Sequence, residues 1–99
     1  MHEFEVNCVN KPDRDSPHEA ITHIGNTFSR WRMTTEAAIA SIESKSAAFY
    51  TVDKSRRVRL YIGVVRESGQ APYLRTYADK TWNNNLLAQG ECDAGCKLV

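Results

Sequence analysis

Val58-Arg59-Leu60-Tyr61-Ile62-Gly63-Val64-Val65 is the stretch on which the fold turns. Val58, Leu60, Ile62 and Val64 fall on one side of a period of two, while Arg59, Tyr61 and Val65 fall on the other, with Arg57 just ahead. A strand with one apolar and one wet face belongs to an antiparallel sheet covered on a single side. Upstream, Ala48-Phe49-Tyr50-Thr51-Val52 has strand composition and Asp53-Lys54-Ser55-Arg56 reads as a polar turn. Downstream, Ser68-Gly69-Gln70 turns the chain back into Tyr73-Leu74-Arg75-Thr76-Tyr77. Residues 48–77 therefore predict a β-meander.

The first half gives weaker signals. Phe4, Val6 and Cys8 alternate with Glu3, Glu5 and Asn7, which predicts one half-buried strand over residues 3–10. Lys11 to Pro17 is a loop, Ala20 to Ile24 a short strand stopped at Gly25-Asn26, and Phe28 to Met33 a third candidate. Thr34 can cap a helix, Glu36 suits its positive end, and Ala38, Ile39 and Ile42 form a stripe at helical spacing. The helix is expected over residues 35–45. Beyond Asp79 periodicity fails, apart from Leu86-Leu87, which should plug the core. The expected architecture is one α+β domain over residues 1–90, with a loose tail over 91–99. Its sheet should hold four to six mostly antiparallel strands with the lone helix on one face.

The chain has 99 residues, 41% of them hydrophobic, and a net charge of +1. Those values fit one small globular domain and argue against a strongly charged nucleic-acid or membrane binder. Charge is nonetheless uneven: residues 1–28 carry three more acids than bases, and residues 30–80 five more bases than acids. No apolar run is long enough to cross a bilayer, and the start lacks the basic and apolar segments of an export signal. A cytoplasmic location is expected, and with it three free thiols at Cys8, Cys92 and Cys96 and no metal or other cofactor. The final Cys96-Lys97-Leu98-Val99 makes a poor prenylation box because Lys97 fills an aliphatic slot.

Six short elements run in order along nearly the whole chain. They are Cys8-Val9-Asn10 with Pro12-Asp13-Arg14, Ile21-Thr22-His23-Ile24-Gly25, and Trp31 followed by Ala38-Ile39. Phe49-Tyr50-Thr51, Tyr73-Leu74-Arg75-Thr76, and Asp79 with Asn84-Asn85-Leu86-Leu87 complete them. Through these the sequence resembles a family of small, mainly bacterial proteins, the domain of unknown function 3892. The sequence departs from that pattern at Asn26, where a second Gly is common. It departs again at Gln89-Gly90-Glu91-Cys92, where the family tends to read Leu-Pro-x-Cys. The resemblance implies the domain's extent and assigns no residue a role.

Candidate chemistry is sparse. Cys8, Cys92 and Cys96 with His18 or His23 offer zinc-type ligands, but no second close pair accompanies Cys92-x-x-x-Cys96, so core and tail thiols are expected. Cys8, His18 and Asp15 make a nucleophile–base–orienter triple on paper only, and no catalytic motif is present, so an enzyme is not expected. Asn83-Asn84-Asn85 suits loop backbone better than a ligand. The most informative pattern is basic and aromatic: in a hairpin, Arg57, Arg59, Tyr61, Tyr73, Arg75 and Tyr77 share the face away from Leu60, Ile62 and Leu74. Rings and guanidinium groups together suit single-stranded nucleic acid. The competing reading is an ordinary wet strand face, or a surface for a protein partner or self-association. The expected function is a small non-catalytic binding module.

Overall fold

The computed structural model describes every residue except Met1, Arg14, Asp79 and Lys80. Its centre is the predicted meander. β5 (Ala47–Asp53), β6 (Val58–Val65) and β7 (Tyr73–Ala78) pair antiparallel, and a short β8 (Thr81–Asn83) adds to β7. On the other side β1 (His2–Glu5) runs parallel to β5, completing a sheet in the order β1-β5-β6-β7-β8. Both meander turns have a local cause. Asp53 Oδ1 accepts from the Ser55 and Arg56 N–H groups at 3.1 and 3.3 Å and from the Ser55 hydroxyl at 2.7 Å. Gly69 supplies the positive φ of +79° that the second turn needs.

A second sheet, in the order β10-β4-β3-β2-β9, holds β2 (Cys8–Asn10), β3 (His23–Asn26), β4 (Trp31–Thr34), β9 (Gly90–Glu91) and β10 (Lys97–Leu98). The alternating stretch 3–10 is therefore two strands, one in each sheet. The change of sheet falls between two adjacent amides: Val6 N–H donates to Tyr50 O at 2.7 Å, and Asn7 N–H to Gly25 O at 3.0 Å. Asn26 ties the sheets together, donating from Nδ2 to Glu5 O at 3.0 Å and accepting the Phe28 and Ser29 N–H groups at 2.9 Å each. A glycine there would lack all three bonds. Gly25, by contrast, has no room for a side chain, since a Cβ would lie 2.3 Å from Trp31 O. The predicted strand over 20–24 is displaced: His18–Ala20 forms a 3-10 turn, and pairing starts only at His23.

Helix α1 (Thr35–Glu43) starts where expected, with the Thr34 hydroxyl accepting from Ala37 N–H at 3.1 Å. It stops two residues short of Lys45, which takes φ +62° and so leaves the right-handed helix. Ala38 and Ile39 are buried and Ile42 is half-buried against the core. That core is one cluster fed by every layer. Val6, Val9, Ile21 and Ile24 come from the second sheet and its connections, and Ala38 and Ile39 from the helix. Phe49, Ile62 and Leu74 come from the first sheet, and Leu86 plugs the end. Each large side chain so buried contributes about 1.5–3 kcal/mol.

Two expectations fail at the C-terminal end. Segment 91–99 is not loose: β9 pairs with β2, β10 pairs with β4, and Val99 N–H donates to Arg32 O at 2.9 Å. The three cysteines are not all free either, because Cys8 and Cys92 form a disulfide across 84 residues and only Cys96 keeps a thiol. Sequence spacing hides both features, since Cys8 and Cys92 meet only after β9 has aligned with β2. Among the described residues, no helix is long and apolar enough to cross a membrane.

Candidate nucleic-acid interface

The inner face of the first sheet is covered, and its outer face is where the candidate residues lie. Alternation along β6 sends Leu60 and Ile62 inward, both buried, and Arg59 and Tyr61 outward, both exposed. Strand register then does something composition alone could not reveal. Tyr61 stands opposite Tyr50 of β5 on one side and opposite Tyr77 of β7 on the other, and Tyr77 stands opposite Trp82 of β8. Four aromatic residues thus form a row across four adjacent strands. Ring centroids are 5.9 Å apart for Tyr50 and Tyr61 and 5.0 Å apart for Tyr77 and Trp82, the second pair meeting edge to face.

Tyr61, Tyr77 and Trp82 are 42%, 44% and 39% exposed, so each keeps ring surface for a ligand. Trp82 reaches sideways over Gly63, whose position would put a Cβ 3.1 Å from the indole. The missing side chain makes a shallow depression floored by Gly63 and walled by Tyr61, Tyr77 and Trp82.

The charged part of the face is more constrained than the sequence suggests. Arg59 lies 4.3 Å above the Tyr50 ring centroid and pairs with Glu3 Oε1 at 3.1 Å, and Tyr61 donates its hydroxyl to that same oxygen at 2.7 Å. Arg75 is drawn to the end of the sheet, where Nε donates to Asn83 O at 3.1 Å and Nη2 to Asn84 Oδ1 at 2.8 Å. Arg57 lies in the turn before β6 with φ +55° and is exposed.

Of the six residues singled out from sequence, Arg59, Tyr61 and Tyr77 come together. Arg57 flanks them and Arg75 is committed to the asparagine loop. Tyr73 is only 7% exposed and donates its hydroxyl to Glu67 at 3.0 Å; burial, with Glu67 beside it, holds that phenol above its ordinary pKa. Tyr50 and Trp82 are the residues sequence reasoning missed. Tyr50 was legible from its alternation with Phe49 and Thr51, but Trp82 lies where periodicity had failed.

The asparagine run is structural. Thr76 Oγ1 donates to the Asn83 side-chain oxygen, Thr51 Oγ1 to that of Asn85, and both threonines are fully buried. The paper triple of Cys8, His18 and Asp15 fails because Cys8 is in the disulfide. His18 is buried, its pKa lowered first by burial and then by Arg75, and among the described residues its Nε2 meets no hydrogen-bond partner. Among the described residues the one group that could hold a metal is Cys8, Cys92 and Cys96, which no histidine joins.

A family model described as a protein of unknown function (DUF3892) matches residues 5–88. The match takes in the whole aromatic row and ends before β9 and the last two cysteines. No curated protein and no solved structure matches the chain. The chain belongs to the DUF3892 family.

Proposed function

We propose that this member of the family is a non-catalytic binding module that takes single-stranded nucleic acid across the outer face of its first sheet. The observation that carries the reading is the row Tyr50–Tyr61–Tyr77–Trp82, one ring from each of four neighbouring strands. Exposed rings on a rigid sheet offer stacking platforms to unpaired bases, each worth about 1–3 kcal/mol. Phosphate contact is the smaller part, because Arg59 is shared with Glu3 and Arg75 with the asparagine loop. Arg57 and Arg59, the second in competition with Glu3, give a log–log salt slope no steeper than about −1.4 on a single strand. The reading sets the chain in the cytoplasm, where unpaired strands are met.

The test is a titration of labelled mixed-sequence single-stranded DNA and RNA at low salt, with the fluorescence of a Trp31→Phe variant, in which Trp82 is the one tryptophan, as a second readout. Binding that Tyr61→Ala and Tyr77→Ala each weaken by about 1–3 kcal/mol, with the fold unchanged, is the expected result. Absence of binding at protein concentrations near a millimolar refutes it.

One observation favours a protein partner instead. β1 ends the first sheet with all four residues exposed, and an edge strand accepts an added strand through its backbone. On that reading the chain self-associates or captures a peptide along β1. A mass that rises with concentration in light scattering, unchanged by the two tyrosine variants, would select it.

A further inference from the structure

Cys8, Cys92 and Cys96 bring their sulfurs within 4.8 Å of one another, and all three residues are buried. They form a cluster of their own, separate from the main core. We infer that, once the Cys8–Cys92 disulfide is reduced, the three thiolates form a binding site for a zinc-type divalent cation.

Geometry and surroundings both support the site. Thiolates about 2.3 Å from a tetrahedral zinc stand about 3.8 Å apart, so shifts of about an ångström convert the present arrangement. Backbone bonds that do not involve the disulfide hold each residue. Cys8 lies between Gly25 of β3 and Gly90 of β9. Cys92 donates its N–H to Val9 O at 3.3 Å and accepts Asn10 Nδ2 at 3.2 Å on its carbonyl. Cys96 N–H donates to Asp93 O at 3.1 Å, and Lys97 N–H next to it donates to Arg30 O at 3.0 Å. Nor is the Cys96 thiol in an inert apolar setting, because Asn26 O and Asp93 Oδ1 each lie 3.8 Å from its sulfur. The three sulfurs leave the fourth position of a tetrahedral cation to water or another oxygen.

The chemistry balances with a dithiol as reductant. Two electrons break the Cys8–Cys92 bond, the dithiol closes to its own disulfide, and its two protons pass to the new thiols. Binding of the cation then releases three protons to solvent as three sulfur–metal bonds form. The oxidised chain offers one thiol and two sulfurs without thiolate character, so it should not bind. Thiols are kept reduced in a reducing compartment, and in a chain made there the metal-bound form would be the resident one.

Cobalt(II) is the probe, added without oxygen to the full chain before and after reduction by a phosphine. The reduced chain should take up one cobalt with the intense visible bands and near-ultraviolet thiolate charge transfer of a tetrahedral site. Zinc should displace it, and the oxidised chain should show nothing. Cys96→Ser keeps the disulfide and so folds in the oxidised state. Once reduced, it should lose more affinity than the roughly 10–100-fold that loss of a mere supporting partner costs. Circular dichroism on the same samples reports the fold. A folded reduced chain without cobalt bands overturns the inference, as does unchanged affinity in Cys96→Ser. Binding seen only in an unfolded chain, or an unfolded chain that binds none, overturns it too, because the site is argued to be assembled by the sheet.

Discussion

Tyr61 donates its hydroxyl to Glu3 at 2.7 Å, joining the middle of the aromatic row to a strand 58 residues earlier in the chain. The same carboxylate oxygen accepts from Arg59 at 3.1 Å. β1 thus places one negative charge on the two side chains best suited to a nucleic acid. Arg59 and Glu3 side chains are 55% and 43% exposed, so water screens the pair and it adds little to stability. Glu3→Gln is therefore expected to leave the melting temperature nearly unchanged while tightening single-strand binding and steepening its salt dependence. Fluorescence titration at several salt concentrations measures both. An affinity that falls in Glu3→Gln would mean that the carboxylate positions the ligand face rather than occupying it.

Tyr73 and Tyr77 separate the roles of two tyrosines four residues apart on β7. Tyr77 is 44% exposed and in the row; Tyr73 is 7% exposed and bonded to Glu67. Tyr77→Ala should weaken ligand binding and spare the fold, whereas Tyr73→Ala should lower the urea midpoint and change intrinsic affinity little. Equal behaviour of the two variants in both assays would contradict the division.

What was legible follows from the range of the interactions concerned. The meander and the helix start are set by turns, caps and alternation within a few residues, and Asp53, Gly69 and Thr34 announce them. The second sheet is not local: β9 and β10 are two residues each, too short for any period, and exist because β2 and β4 offer free edges. Val6 and Asn7 continue an unbroken alternation while their amides bond to different sheets, so no pattern marks the switch. Alternation correctly assigns Tyr73 to the same side of β7 as Tyr77, but it cannot show that the far end of that side is covered.

The disulfide closes a loop of 84 residues in a chain of 99. Loop-closure entropy for that length corresponds to about 4–5 kcal/mol of stability. Reduction in the presence of a chelator should remove most of it, read as the shift in unfolding free energy from urea titration. A change below about 1 kcal/mol would show that the unfolded chain is already compact around these residues.

Thr76 carries a buried junction. Its hydroxyl donates to the Asn83 side chain and accepts Leu86 N–H at 3.3 Å, which seats the fully buried Leu86. Thr76→Val keeps the shape and strips out both bonds, leaving a buried amide hydrogen unpaired. The expected cost is about 1–3 kcal/mol in urea unfolding. A neutral outcome would mean that water reaches Leu86 N–H.

His18 should make the fold sensitive to mild acid. It is 5% exposed, its Nε2 meets no partner among the described residues, and burial, Arg75 and Lys11 lower its pKa below 6.5 while Glu19 opposes them. Well above 6.5 the imidazole is neutral folded and unfolded, so it contributes no pH dependence there. As pH falls below 6.5 the unfolded chain takes up a proton that the folded chain resists, and stability declines until the folded pKa is passed. His23, lowered first by burial and then by Arg32, acts in the same direction. Urea unfolding of the wild type and of His18→Asn from pH 7.5 downward separates this effect from that of the carboxylates, which both proteins share. The wild type should lose more stability than the variant between neutrality and mild acid. Parallel curves would mean that His18 takes up a proton as readily in the folded chain as in the unfolded one.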